Sequence, residues 1–243
     1  MNKLLLQIFV GILIFVCVIF GIANSAIRNK KFVCNRYILN TYLYIILTLN
    51  IIALQMLIME YTKIDFQPNF LVFIGIFILT IGCIIAMHKI SPLQIVLKHS
   101  VWILFIILMG LIFYPIYSLY TNKKGLIMSA ILTTVLLFIG LSAIAYLKPE
   151  FISLSWAPVL LVLLVGVIIV ELLALAFVRD NTSNIFKYSS YFVIGLFMLF
   201  ILYDTKRLQI NAKNCVIADY ISESVKLFLD IWNIFVRILS LGR

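Results

Sequence analysis

A chain of 243 residues that is 65% hydrophobic and only 12% charged, with a mean hydropathy of +1.19, lies far from the roughly 25% charged composition of soluble domains and is excluded from that class. Its formal charge of +10 is not a nucleic-acid patch, because the lysines and arginines fall mostly between apolar runs, where they act as topology signals. Within a bilayer each segment must satisfy its own backbone, and apolar runs of ~18–24 residues are helices rather than the ~10-residue alternating strands of a barrel.

The runs predict spans near 4–24, 38–59, 69–88, 101–120, 126–147, 154–178 and 186–204, with a less apolar eighth helix at about 220–241. The breaks carry turn or helix-start residues: Asp65 to Pro68, Ser91-Pro92, Asn122 to Gly125, Lys148-Pro149-Glu150 and Asp180 to Asn184. The first run has the Lys3, apolar core and Ala23-Asn24-Ser25 of a signal peptide, but we read it as a retained span. Loops 25–37, 89–100, 148–153 and 205–219 share one side and hold ten basic residues, among them Arg28, Lys30, Lys31, Arg36, Lys98 and Lys206, against seven on the other. That bias expects the two most basic loops in the cytosol or an organelle matrix. A composition rich in Ile, Phe, Asn, Lys and Tyr suggests an AT-rich genome, such as that of an organelle, an endosymbiont, a parasite or a large virus.

Cys17, Cys34, Cys83 and Cys215 show no paired spacing, and two lie in apolar runs, so neither a disulfide framework nor a metal site is expected. His88 and His99 flank a loop eleven residues apart; we read them as solvated loop histidines, not metal ligands. No nucleophile–base pair or phosphate loop appears, so no catalytic residue and no cofactor is expected.

Ionisable groups inside spans are expensive, each ~2.5–3.5 kcal/mol on insertion scales, and Glu171, Asp204 and Asp230 are such groups. Glu171 is shallow enough to snorkel or to pair with a Lys or Arg. If the seventh helix continues to about Lys213, Asp204 lies ~14 Å inside its end; with Asp219 capping the eighth helix, Asp230 lies ~16 Å along it. The two carboxylates then share a depth, although facing does not follow. The last helix carries Glu223, Lys226, Asp230, Asn233 and Arg237 on one stripe. Either it lies in the interface, with Lys226 and Asp230 paired, or it spans and turns the stripe inward. Two close carboxylates in a low-dielectric site cannot both ionise cheaply, so they would hold a proton between them, or accept a hard cation once it leaves.

Tyr203-Asp204-Thr205, Asp219-Tyr220-Ile221 with Ser224, and Leu227-Phe228-Leu229-Asp230-Ile231 with Asn233-Ile234-Phe235 resemble the C-terminal signature of the transmembrane Bax-inhibitor-motif family. Gly110-Leu111 to Pro115 and Ala130 to Ser142 resemble its third and fourth core spans more weakly. The resemblance implies an all-α integral membrane protein: a seven-helix bundle over 37–241 with the last helix packed centrally, plus an extra N-terminal helix over 1–30. It implies a pH-sensitive calcium leak of internal membranes, a role in cell death, and a latch formed by Asp204 and Asp230, with Tyr203, Lys206, Asp219, Ser224, Asn233 and Glu171 in support. Calcium would be the transported ion and lipids the partners. The organellar composition favours the mitochondrial inner membrane over the endoplasmic reticulum or Golgi. Lys206 stands where the family has glutamine, two residues from Asp204, where it is expected to weaken the latch. A subunit of a larger inner-membrane complex that keeps the fold without transport is the alternative.

Overall fold

The computed structural model describes residues 3–28, 31–177 and 182–242; Lys30, Arg179, Asp180 and Arg243, used above for topology and turns, lie outside them. Eight α-helices are described: α1 (Lys3–Ser25), α2 (Tyr37–Thr62), α3 (Phe70–Lys89), α4 (Ile95–Tyr120), α5 (Lys124–Leu147), α6 (Trp156–Phe177), α7 (Thr182–Lys213) and α8 (Tyr220–Leu241). Each of the eight expected helices is present, and α7 does run on to Lys213. Two two-residue strands, β1 (Ile27–Arg28) and β2 (Lys31–Phe32), pair antiparallel between α1 and α2 and were not expected. The protein is an all-α integral membrane protein apart from this small hairpin.

Among the described residues, six stretches are long and apolar enough to cross a membrane. One of them, Ile95–Leu147, covers 53 residues, about 80 Å of helix, enough for two crossings of a ~30 Å hydrocarbon core. Large apolar side chains stay exposed along the spans, such as Phe20, Leu71 and Val162, which is the surface that lipid covers. The eighth helix is not among the six, because Glu223, Lys226, Asp230 and Arg237 lower its hydropathy. It is buried instead: Phe228, Ile234 and Leu239 are inaccessible, and Asp230 is only 4% exposed. A helix lying on the interface keeps its polar face in water, so the inward-facing reading of the stripe holds.

The chain forms two compact units. The first comprises Met1–Asn122 and Ala212–Val225. Within it α1 packs on α2, α3 on α4, and α2 on α4. Gly110 of α4 permits the last of these contacts, since a Cβ there would collide with the Gln55 amide, whose Nε2 donates to the Ile107 carbonyl. Phe32, Tyr37, Tyr44, Trp102 and Tyr220 build an aromatic cluster with ring centroids about 5–6 Å apart. Tyr44 Oη meets His99 Nε2 at 2.8 Å, and His99 Nδ1 meets the Ile95 carbonyl. His99 is thus a half-buried residue of α4, and His88 belongs to α3. Neither is in a loop: His88 lies in the last turn of α3, and α4 begins at Ile95, earlier than the apolar run alone marks.

Cys34 and Cys215 form a disulfide across 181 residues of sequence, with Cα atoms 5.8 Å apart. This corrects the expectation of unpaired cysteines: spacing reveals a disulfide only when the partners are near in sequence, and here tertiary contact alone brings them together. The second unit comprises Lys123–Asn211 and Lys226–Arg243, with a core of Leu141, Val193, Phe197, Ile201 and Ile234 from α5, α7 and α8.

Replacing Cys34 and Cys215 together with serine should lower unfolding stability by about 2–5 kcal/mol, since the bond closes a long loop. Denaturant unfolding in detergent measures it, and reduction of the wild-type protein should reproduce the loss.

Candidate functional site

The turn between α7 and α8 is tied down within the first unit. Asp219 Oδ1 accepts from the Ser222 backbone amide at 3.1 Å, the expected cap. Its other oxygen accepts from Lys98 Nζ at 2.6 Å, and Lys98 also donates to the Ile90 carbonyl. The Lys98 side chain is wholly buried, whereas Asp219 keeps 25% of its surface. Sequence reasoning counted Lys98 as a loop charge. It is the main residue of the site region that such reasoning missed, and only the Asp219 cap 121 residues away hinted at a need for a cation. Tyr220 Oη donates to the Val33 carbonyl and accepts from Asn40 Nδ2, and Ser222 Oγ donates to the Met87 carbonyl. Ser224 Oγ donates back to the Ile221 carbonyl within α8.

The second unit holds the carboxylates. Asp204 on α7 and Asp230 on α8 interact with each other, carboxyl to carboxyl. Asp230 Oδ2 is buried with no hydrogen-bond partner among the described residues, as are Thr205 Oγ1 and Ser142 Oγ. Each such unmet oxygen is costly in a dry interior. Gln209 Nε2 of α7 donates to the Ala145 carbonyl of α5. One turn further along α8, Asn233 Nδ2 donates to the Leu229 carbonyl. Tyr203 is half-buried on α7.

Lys206 does not face Asp204. Its ammonium donates to the Ile152 carbonyl, since residues two apart on a helix point to nearly opposite sides. The expectation that it would weaken the aspartate pair is corrected on that ground.

Glu171 on α6 takes the paired alternative. Its Oε1 accepts from Arg237 Nη1 at 2.6 Å and from Ser189 Oγ at 2.6 Å, while Oε2 accepts from Arg237 Nη2 at 2.8 Å. This is a two-pronged, charge-assisted bond joining α6, α7 and α8.

Residues 34–242 match the protein family described as inhibitor of apoptosis-promoting Bax1. The chain belongs to the Bax inhibitor family. The match spans α2 to α8 and leaves α1 outside it, consistent with one additional N-terminal helix. Among curated proteins none matches. Lys98–Asp219, the disulfide and Glu171–Arg237 are read from the structure of this chain.

Asp219→Ala should destabilise the protein by about 3–5 kcal/mol, since it strands a buried ammonium, and Lys98→Met should cost clearly less because Asp219 still reaches water. Thermal unfolding of the two variants in detergent gives the order.

Proposed function

We propose that this protein is a proton-regulated cation leak of an internal membrane, with calcium as the favoured ion and Asp204–Asp230 as its latch. The observation that carries the reading is the interaction of the Asp204 and Asp230 carboxyls between α7 and α8, with Asp230 buried. Two close carboxylates in a low-dielectric site cannot both ionise cheaply, so this contact favours one proton between the pair. Loss of that proton leaves two like charges in a low-dielectric site, which pushes the helices apart and creates an oxygen-rich site for a hard cation. The proton-sharing state therefore belongs to the lower pH range, and conduction rises as pH increases through the titration of the pair. The reading assigns no catalytic chemistry and no resident cofactor.

The proposed membrane is that of an organelle, with the mitochondrial inner membrane favoured and a role in cell-death control taken from the family. The disulfide qualifies the orientation. It favours an oxidising compartment for the face carrying residues 34 and 215, against the small excess of basic residues that puts this face in the cytosol or matrix. A membrane-impermeant maleimide added to intact organelles after mild reduction should label Cys34 and Cys215 from the oxidising side. Labelling only from the matrix or cytosol would sink this placement.

In proteoliposomes loaded with a calcium dye, wild-type flux should rise with pH, and Asp204→Asn or Asp230→Asn should flatten that dependence. Flux whose pH profile is the same in wild type and both variants would remove the latch. Absence of any flux from protein that co-purifies with partner chains would favour the structural subunit instead.

A further inference from the structure

Arg237 lies seven residues beyond Asp230 on the same stripe of α8, about 10.5 Å further along the axis. Its guanidinium is held by Glu171, and side-chain exposures of 23% for Arg237 and 15% for Glu171 place the pair close to an accessible end of the second unit. Ser189 adds a third hydrogen bond to the same carboxylate. Packing alone does not call for such a pair: an apolar contact of similar volume is often as stable as a buried ion pair, and three polar residues on three helices carry an insertion cost that a leucine cluster avoids. An ion moving along the stripe between Asp230 and the C-terminal end of α8 meets this pair next.

We propose that Glu171 and Arg237 form a second, charge-selecting constriction in series with Asp204 and Asp230. The proposal rests on the leak reading above. Arg237 presents a fixed positive charge to any cation on the stripe, and Glu171 cancels it, so the paired state is neutral and narrow. A passing divalent cation competes with the guanidinium for the Glu171 oxygens, displaces Arg237, and is released as the two-pronged bond reforms. Ser189 positions the carboxylate so that Oε1 stays in the route when Arg237 leaves. Selectivity for cations over anions then resides in Glu171, and the resting block resides in Arg237.

The two ends of one ion pair thereby acquire opposite functional signs. Calcium flux into dye-loaded proteoliposomes is measured for Glu171→Gln and Arg237→Gln at a pH where the wild-type protein conducts. Glu171→Gln leaves an uncompensated positive charge and should lower flux by about fivefold or more, while Arg237→Gln leaves a free carboxylate and should raise it comparably. Arg237→Lys keeps the charge but loses the fork, and should raise flux less than Arg237→Gln; it also serves as the readable variant should Arg237→Gln not fold. A purely structural pair would shift both ends in the same direction, together with their unfolding temperatures, and that result overturns the proposal. If the Glu171 and Arg237 variants move together while Asp230→Asn still flattens the pH profile, only this inference falls. If the wild-type protein carries no calcium, the leak reading falls and this constriction falls with it.

Discussion

Hydrocarbon cannot solvate charge, and this constraint determines how α8 is used. Its stripe of Glu223, Lys226, Asp230, Asn233 and Arg237 would be prohibitive against lipid, so the helix is enclosed by protein and each charged group with a described partner finds it on another element: Asp230 on α7, Arg237 on α6. The surrounding spans can then be nearly featureless in polarity, and their exposed leucines, isoleucines and phenylalanines need only meet acyl chains. The same constraint explains the short polar contacts at helix ends, where Lys98, Asp219, Tyr220 and Ser222 satisfy one another or backbone carbonyls and hold the α7–α8 turn.

Within the second unit the local chemistry singles out Asp204 and Asp230. Hydropathy alone gives two charges in the wrong medium. The structure adds that the two carboxyls interact and that Asp230 Oδ2 has no hydrogen-bond partner among the described residues. A buried carboxyl pair is poor scaffolding, since unmet polar atoms destabilise a folded protein.

Helices were legible in the sequence because a 20-residue apolar run has few other meanings, and the depth of Asp204 followed from counting residues at a fixed rise. Helix ends were less legible: α4 begins at Ile95 and so takes in His99 and Lys98, which the apolar run beginning at Val101 had left in a loop. Direction was also hidden. Nothing in a linear sequence turns Lys206 toward the Ile152 carbonyl or pairs Glu171 with Arg237 rather than with lipid-edge water. Helical periodicity does exclude Lys206 from the face of Asp204, a step that sequence reasoning had available. The Cys34–Cys215 bond was out of reach for a different reason, because its partners are separated by most of the chain.

That bond makes the covalent structure a ring with two tails. Helices α2 to α7 lie within the ring, while α1 and α8 extend from its two closing residues. During synthesis the ring stays open until Cys215 has emerged, after the six helices α2 to α7. Once closed, a single proteolytic cut anywhere between the two cysteines leaves one molecule rather than two fragments, and the helices keep their high local concentration around the break.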